Sequence, residues 1–576
     1  MDYFKDLVAA ARGDIFPDLV IKNVRVVNVF TCEIVETEVA IYGDRIAGLD
    51  SGYEGRNVLD AEGSYIVPGF IESHFHIEST MLRPSELARL IVPRGTTCLV
   101  ADPHEIANVS GIEGIEFLLS DSEDLPFDLF VMAPSCVPAT EFETAGAHID
   151  ARDVKNLFNH SRVLGLAEVM NFPGVITGND EVLSKIMISR GRPVDGHAPL
   201  VTGKQLNAYV AAGIHSDHEC TSAEEALEKV RLGMRIMIRE GTSAHDLDNL
   251  LPAISSSNSR RFMLATDDRH ADELASQGHM DLLLRKAVSF GIDPAQALQM
   301  VTLNPAEYFR LFDRGAIAPG YLADLVLVED LESFKVLKVI KSGKEVASDG
   351  YLKVPVAHST VQNSIVNTVH MNPVKPEDLK LTLSNEKPRV RIIEVEYGSL
   401  ITNSLIDQVN VDKHGVFTPD PAEDLASIYV FERHKASGRI AKGIVKGLGL
   451  KRGAIASSVA HDSHNIICVS MDEVSATSAV NSLIECGGGL CIALDEESKA
   501  VLPLPICGLI SDRNAEQLLY DLDEIKKVVP ETGIEGGDPF MALSFLALPV
   551  IPELKITDRG LFDVTSFSLV DLELSE

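Results

Sequence analysis

Residues 65–79 of the chain, YIVPGFIESHFHIES, give the first indication of the fold. The apolar run predicts a buried strand, and His74 and His76 follow at its end. Because side chains two apart share one face of a strand, both imidazoles could bind the same cation. One such pair is weak evidence for a metal site, since 17 histidines in 576 residues produce similar pairs by chance. The pair gains weight only if further ligands lie at neighbouring strand ends.

Apolar segments alternate with helical patterns after this stretch. Strand-like segments include GTTCLVADP, FDLFVMAPS, VLGLAEVM and RRFMLATDD, and amphipathic segments such as SAEEALEKVRLGMRIMIRE separate them. A repeated strand–helix order is typical of a parallel α/β barrel, in which reactive residues lie at the carboxyl ends of the strands. We therefore predict an α/β fold whose centre is a (β/α)8 TIM-like barrel over residues 67–312.

Short alternating strands flank the predicted barrel on both sides. Residues 1–66 are predicted to form the first part of a small composite β-sandwich domain, and residues 313–355 its returning strands. A stretch containing Pro and Asn, residues 356–388, predicts a linker. The remaining residues, 389–576, predict a C-terminal α+β domain.

Composition excludes some classes of partner. A formal net charge of -34 disfavours a broad nucleic-acid or anionic-membrane surface, because phosphate groups repel such a field. We expect no signal peptide, and the longest apolar stretch, FMALSFLALPVIP from Phe540, is too short to span a bilayer. Eight cysteines without paired zinc spacing indicate a reduced, cytoplasmic chain.

Metal-binding and acid–base side chains follow most of the predicted barrel strands. In chain order they are His74 and His76, then Asp102, His104 and Glu105, then Glu168, His197, His218 and Glu219, and finally Asp267 and Asp268. Four imidazoles and two carboxylates make a ligand set for two divalent ions that share a bridging carboxylate. An inert role for Glu168 is disfavoured, because an unpaired carboxylate among apolar neighbours is costly to bury.

Longer segments around these residues resemble the amidohydrolase superfamily and, within it, the adenine deaminase family. The segments are VPGFIESHFHIEST, DPHEIANV, GLAEVMNFPGV, DGHAP, SDHE and ATDDR, and the resemblance extends over the whole chain, including the C-terminal domain. It implies that His74, His76 and Asp267 bind one metal, that His197 and His218 bind the other, and that Glu168 bridges them. Many binuclear amidohydrolases use a carboxylated lysine as the bridge, and GLAEVM contains no lysine.

The resemblance implies hydrolytic deamination of adenine to hypoxanthine and ammonia, a purine salvage reaction. A hydroxide held by the metals would attack C6, and Asp267 would act as the general base, with His218 also taking part in catalysis. The proton for ring N1 has three candidate donors, His104, Glu105 and Glu219, which the sequence does not rank. Asp268 and Glu78 are candidates for contacts with the purine edge or with a further metal.

The ligand types restrict the metal and leave some alternatives open. Without a thiolate, Mn(II), Fe(II) and Zn(II) all fit, and the family resemblance favours manganese or iron. The predicted partner is the small molecule adenine, with neither nucleic acid nor membrane, and the apolar C-terminal portion favours a homodimer or a higher homo-oligomer.

Two other functions compete with adenine deamination. A hydantoinase- or dihydroorotase-type cyclic-amide hydrolase would use the same scaffold, more usually with a lysine where Glu168 stands. A non-catalytic amidohydrolase-like scaffold would typically have lost metal ligands. Further along the chain, His461 and His464 in HDSHN lie in a predicted loop, and we expect a structural or interface role for them rather than metal binding.

Overall fold

The computed structural model describes residues 1–384, 387–397 and 399–574. The predictions for the linker at 385 and 386, and for the C-terminal domain at 398, 575 and 576, lie outside these ranges. The described elements form a central barrel, a composite sheet built from both of its flanks, and a C-terminal α+β region. In the part of the chain that is described, none of the helices combines the length and the apolar character that crossing a bilayer requires.

Eight parallel strands form the barrel. They are β6 (Phe70–Phe75), β7 (Thr96–Ala101), β8 (Asp128–Ala133), β9 (Val163–Val169), β10 (Val194–Gly196), β11 (Ser216–Asp217), β12 (Arg235–Arg239) and β13 (Phe262–Ala265). Strands β6 to β10 pair in sequence order, as do β11 to β13. The His215 amide donates to Val194 O at 2.9 Å and joins the two groups. A parallel bridge between Phe75 and Asp267 closes the circle, which confirms the predicted barrel.

Helices surround the strands, which are almost entirely buried, as expected for a parallel sheet covered on both faces. They are α2 (Pro84–Ile91), α3 (His104–Asp121), α4 (Ala151–Leu157), α5 (Phe172–Thr177), α6 (Asp180–Ile188), α7 (Gly203–Ala211), α8 (Ala223–Arg231), α9 (Leu247–Leu250), α10 (Ala271–Ser276), α11 (Met280–Phe290), α12 (Pro294–Met300) and α13 (Leu303–Tyr308). Side-chain caps start several of them: Asn179 accepts from the Glu181 and Val182 amides, and Ser222 accepts from the Glu225 amide.

The two flanks of the barrel combine into one sheet of nine described strands. The strands are β1 (Leu19–Asn28), β2 (Glu33–Tyr42), β3 (Arg45–Leu49), β4 (Asn57–Asp60), β5 (Tyr65–Pro68), β14 (Leu325–Val328), β15 (Val336–Lys341), β16 (Lys344–Ser348) and β17 (Tyr351–Leu352), with helix α1 (Asp2–Ala11) beside them. Antiparallel pairing of β5 with β14 joins the halves. Ile21, Ile66, Leu325 and Ile340 share one buried core, so both flanks contribute to it.

The C-terminal region is a sheet of eight described strands with helices against it and a small three-stranded sheet. Its elements are α14 (Pro376–Leu379), β18 (Arg389–Glu394), β19 (Asn403–Gln408), β20 (Leu425–Phe431), β21 (Ile440–Lys446), β22 (Ala454–Ser457), β23 (Ile466–Ser470), α15 (Glu473–Cys486), β24 (Gly489–Leu494), β25 (Glu497–Pro503), α16 (Ala515–Val528), α17 (Pro539–Ser544), β26 (Leu554–Thr557), β27 (Gly560–Asp563) and β28 (Ser568–Val570). The domain boundaries named above stay predictions.

The C-terminal region packs on the end of the barrel where the strands finish. The Thr144 amide, in the loop between β8 and α4, donates to Asp558 Oδ1 at 2.8 Å, and Thr557 Oγ1 donates to Phe142 O at 2.6 Å. On another side, the Ala515 amide donates to the buried Glu86 carboxylate at 2.9 Å. These contacts place C-terminal residues over the strand ends that carry the predicted site.

Candidate active site

The barrel brings the six predicted metal ligands together at the carboxyl ends of its strands. His74 and Glu168 lie within β6 and β9, whereas the other four follow β6, β10, β11 and β13 closely. Their relative exposures are His74 2%, His76 3%, Glu168 3%, His197 5%, His218 2% and Asp267 5%. Six buried ionisable side chains at one point require mutual neutralisation or bound ions.

The Glu168 carboxylate divides its two oxygens between the histidines. Oε1 lies 3.5 Å from His76 Nε2 and 3.8 Å from His74 Nε2. Oε2 lies 2.7 Å from His197 Nδ1 and 3.2 Å from His218 Nε2. One oxygen for each histidine pair is the arrangement that a carboxylate needs to bridge two cations.

Asp267 joins the first of these pairs. Its Oδ1 lies 3.1 Å from His76 Nε2 and 3.5 Å from His74 Nε2. The residue has φ +59°, a left-handed conformation that Asp tolerates better than most residues, and its amide donates to His74 O at 3.1 Å. The backbone itself therefore fixes Asp267 against the end of β6.

One buried nitrogen indicates that these residues fit divalent ions. His74 Nε2, which faces Glu168 Oε1 and Asp267 Oδ1, has no hydrogen-bond partner among the described residues. A buried nitrogen without a partner is costly, and a cation would satisfy it. Three-residue groups from this set, such as His74, His76 and Glu168, place their ligand atoms within 4.8 Å of one another. Nitrogen and oxygen ligands without thiolate suit first-row divalent metals.

Opposite charges set the protonation of the ligands. Burial alone would lower the pKa of His218, but the charge of Glu168 raises it well above its usual value. Burial would raise the pKa of Glu168, yet His218 and His197 hold it well below its ordinary range. Because metal ligands must be deprotonated imidazoles, cation binding at this site would displace protons.

The segment after β7 supports the ligands from one side. The Glu168 amide donates to Asp102 Oδ2 at 3.1 Å, and Asp102 O lies 3.1 Å from His76 Nδ1. His104 Nδ1 lies 3.1 Å from Asp102 Oδ1 and 3.5 Å from Glu168 Oε1. Asp102 thus fixes both a ligand and a catalytic candidate.

Glu219 is engaged by an arginine that the sequence analysis missed. Arg239, the last residue of β12, donates to both Glu219 oxygens, with Nη2 3.0 Å from Oε2. Its Nη1 also donates to Asp267 Oδ2 at 3.1 Å, and its Nε to Asp246 Oδ2 at 2.9 Å. Its position at a barrel strand end was the available signal, but only ligand and acid–base residue types were considered there.

The two predicted purine contacts have different surroundings. Asp268 lines the cavity beside the ligands and accepts a hydrogen bond from Ser79 Oγ. Glu78, in a short 3₁₀ turn (Glu78–Thr80), is not among the residues lining that cavity, and its Oε1 accepts from the Ile106 amide at 3.0 Å. Burial, and then the charge of Glu105, raise the pKa of Glu78 to about 7.

Two neighbouring cavities open at these side chains. The inner one, of 30 Å³, has room for about two water molecules. The outer one measures 550 Å³, a size typical of small-molecule sites. Glu219, Arg239, Leu400 and Ile551 line both cavities. The two cavities are therefore neighbours that share part of one wall.

C-terminal residues form part of the inner wall. Those lining it are Leu400, His461, Asp462, Phe545, Leu548 and Ile551. His461 Nδ1 lies 3.2 Å from Glu105 Oε1, and Asp462 Oδ1 lies 3.5 Å from His104 Nε2. The predicted loop around His461 is present, but these two residues contact candidate catalytic groups, which the sequence analysis did not foresee.

Comparison with known proteins agrees with this geometry. Residues 65–346 match the model of the amidohydrolase family, and residues 399–568 match that of the adenine deaminase C-terminal domain. Adenine deaminase 2 of Carboxydothermus hydrogenoformans is 46% identical over 578 residues, covering 100% of both chains. The chain belongs to the adenine deaminase family. A family member from Halalkalibacterium halodurans, named adenine deaminase, is 45% identical and covers 99% of this chain and 98% of its own.

The matched solved structures cover a little over half of this chain. A beta-aspartyl dipeptidase from Fervidobacterium islandicum AW-1 covers 58% of this chain and 98% of its own, with TM-score 0.44 and 19% identity. An N-acetyl-D-glucosamine-6-phosphate deacetylase from Mycobacterium smegmatis covers 57% and 99%, with TM-score 0.44 and 17% identity.

Proposed function

We propose that this member of the adenine deaminase family hydrolyses adenine to hypoxanthine and ammonia. The observation that carries the proposal is the divided Glu168 carboxylate, which faces one histidine pair with each oxygen, 3.5 Å from His76 and 2.7 Å from His197. Full-length relatives named adenine deaminase support the choice of substrate. Two divalent cations, when bound, would supply a water molecule of lowered pKa as the nucleophile for the reacting carbon.

Six residues would hold those cations. His74, His76 and Asp267 would bind one, His197 and His218 the other, and Glu168 both. Manganese or iron is the preferred metal, and zinc also fits this ligand set. The unsatisfied Nε2 of His74 supports this assignment, because a cation between His74, Glu168 and Asp267 would give it a partner.

Asp267 is the proposed general base. Burial would raise its pKa, but contacts with His74 and His76 and the charge of Arg239 hold it well below its usual value. The carboxylate is therefore ionised at neutral pH and can accept a proton from water at Oδ1. Arg239 occupies Oδ2 and leaves Oδ1 directed at the ligands. Asp267 would then pass that proton to the departing amine.

Glu105 is the proposed donor to ring N1. Glu219 is the weakest of the three candidates, because both of its oxygens accept from Arg239, and that charge keeps it ionised. His104 lies between two carboxylates, Asp102 and Asp462. Glu105 lines the inner cavity and faces His461. Burial would raise the pKa of Glu105, but the charge of His461 lowers it, so Glu105 would take up a proton from solvent when the substrate binds and then donate that proton to N1. His218 lies 3.4 Å from Glu219 Oε1 and would orient that carboxylate as well as bind metal.

The substrate would lie where the two cavities meet. Asp268 is the proposed contact to the purine edge, since it lines the inner cavity. Glu78 does not line that cavity and would affect the substrate through its charge interaction with Glu105. We further propose a cytoplasmic purine salvage role and a homodimer or higher homo-oligomer.

A substrate panel tests the proposal. The chain would be produced with added Mn(II) and given adenine, adenosine, cytosine, hydantoin and dihydroorotate, with ammonia release and the ultraviolet change followed in parallel. Turnover of adenine far above the others supports the proposal. Ring opening of hydantoin or dihydroorotate with adenine untouched overturns it in favour of cyclic-amide hydrolysis.

A further inference from the structure

The C-terminal loop at residues 461–465 reaches two catalytic candidates of the barrel at consecutive positions. His461 faces Glu105, with Nδ1 3.2 Å from Oε1, and the next residue, Asp462, faces His104, with Oδ1 3.5 Å from Nε2. All four side chains are buried, with exposures of 3% for His461, 2% for Asp462, 1% for Glu105 and 4% for His104. Their contacts are therefore shielded from water. Hydrogen bonds to charged groups are stronger in such a buried environment than in water.

A second histidine of the loop approaches the same carboxylate. His464 Nδ1 accepts a hydrogen bond from the Ala460 amide at 3.1 Å, so a neutral His464 carries its hydrogen on Nε2. That Nε2 lies 3.9 Å from Glu105 Oε2. A ring nitrogen that bears hydrogen cannot bind a cation. At 3.9 Å the two atoms are not hydrogen-bonded, and neither has a hydrogen-bond partner among the described residues. A neutral His464 therefore turns an N–H toward Glu105 and offers no free nitrogen to a metal, which leaves His461 as the histidine within hydrogen-bond distance of Glu105.

Stacking fixes the orientation of the His461 ring. The ring lies on Phe545, with centroids 4.5 Å apart and planes 17° from parallel. Phe545 belongs to the apolar C-terminal stretch whose residues Phe545, Leu548 and Ile551 line the inner cavity. Tilting the plane of the imidazole away from Glu105 would weaken this stacking, which is favourable in buried aromatic pairs.

We propose that His461 is a positioning residue for the deamination reaction and acts from the C-terminal domain through Glu105. Its Nδ1–H holds the Glu105 carboxylate toward the substrate, so the barrel without this loop is an incomplete catalyst. The inference rests on the proposed function, because Glu105 is there the donor to ring N1. It gives the C-terminal domain a chemical task.

Two amide substitutions of different length, made in the full chain, test whether the position of the hydrogen-bond donor matters. His461→Asn keeps a donor near the position of Nδ1, whereas His461→Gln moves it one carbon further out. We expect His461→Gln to lower kcat by about 100-fold, as expected when a catalytic group is misplaced. His461→Asn should retain most of kcat, and KM should change less than about threefold in both, since ground-state binding is kept. His461→Phe, which keeps the stacking and removes the donor, should behave like His461→Gln.

A double-mutant cycle with Glu105→Gln tests whether His461 acts through Glu105. We expect Glu105→Gln/His461→Gln to be no slower than Glu105→Gln alone, because the partner is already lost. Multiplied losses, or equal kcat values for His461→Asn and His461→Gln, would overturn the inference. Thermal unfolding and bound metal per chain would be measured for every variant, and a loss of kcat that simply follows metal loss would also overturn it.

Two reference proteins separate the failure of this inference from that of the proposed function. The wild-type chain and His414→Phe, a change at an exposed histidine of the same domain, should both deaminate adenine. If neither does, the proposed function fails whatever the His461 variants show. If both do and His461→Gln matches them, only the role of His461 is refuted.

Discussion

Arg239 Nη1 donates to Asp267 Oδ2 at 3.1 Å, which leaves the other oxygen of Asp267 3.1 Å from His76 Nε2. The same guanidinium binds Glu219 and Asp246. One buried cation therefore organises three carboxylates around the candidate site and leaves Oδ1 of Asp267 facing the histidines.

Arg239→Lys should reduce kcat for adenine by about 100-fold, because one ammonium cannot reproduce the planar fork that orients Glu219 and Asp267. The positive charge is kept, so the chain should still fold. The measurement is steady-state kinetics together with thermal unfolding. Arg231→Lys, at an exposed position of α8, is the matched control and should match the wild type. An active Arg239→Lys enzyme would refute the orienting role.

Asp267→Asn should lower kcat by about 10²- to 10⁴-fold, the range typical of a lost general acid–base group. The amide keeps one oxygen, which can still face a cation, while its NH2 group takes the place of Oδ2 beside Arg239, so the fold and much of the metal should remain. Turnover, bound metal and thermal unfolding would be compared with Asp248→Asn, an exposed control. Wild-type kcat in Asp267→Asn would remove this residue from the role of general base.

Glu168→Gln should weaken the metal pair, since a neutral amide cannot offer an anionic oxygen to each of two cations. We expect the purified variant to hold fewer than two metal ions per chain by elemental analysis, and its thermal midpoint to fall as bound ions are lost. Glu116→Gln, at an exposed position of α3, provides the comparison. Two tightly held ions in Glu168→Gln would show that Glu168 does not bridge them.

Glu143→Gln should stabilise the protein at alkaline pH. Burial and then the charge of Asp462 raise the pKa of Glu143 from 4.5 to about 8. The folded protein therefore keeps a proton that the unfolded chain releases above pH 4.5, so the free energy of unfolding falls as pH rises from 4.5 to 8. Glutamine removes this loss because it does not ionise.

The check is thermal unfolding of Glu143→Gln, of wild type and of Glu141→Gln, an exposed neighbour, at pH 4 and at pH 9. The Glu143 variant should unfold at least about 2 °C above the wild type at pH 9 and lose that advantage at pH 4. An advantage that is the same at both pH values would show that Glu143 does not titrate with folding.

The barrel and its ligand-bearing strand ends could be predicted because both follow from local patterns. A continuous apolar run such as VLGLAEV predicts a strand buried on both faces, and the residue at its end then faces the centre. In this way Glu168 and Asp267 were identified before any contact between them was known. The two β-rich flanks could be assigned to one composite domain because they resemble each other in texture, whereas the pairing of β5 with β14 that joins them was not predicted.

Contacts between distant segments could not be predicted in the same way. From the sequence, an arginine at the end of an apolar strand is expected to be exposed to solvent. Nothing near Arg239 in the sequence indicates that it is buried and binds Glu219 and Asp267. His461 and Asp462 lie in a loop of another domain, and their partners Glu105 and His104 are fixed by how that domain packs on the barrel. Local periodicity carries no information about such packing.

A metal titration of the metal-free enzyme is the most direct test of a binuclear centre that deaminates adenine. The chain would be stripped with a chelator, and Mn(II) would be added stepwise while ammonia release from adenine is recorded. The predicted result is no turnover without metal and activity that rises to a plateau at two equivalents per chain. Adenine turnover in the stripped protein, or a plateau at one equivalent, would contradict it.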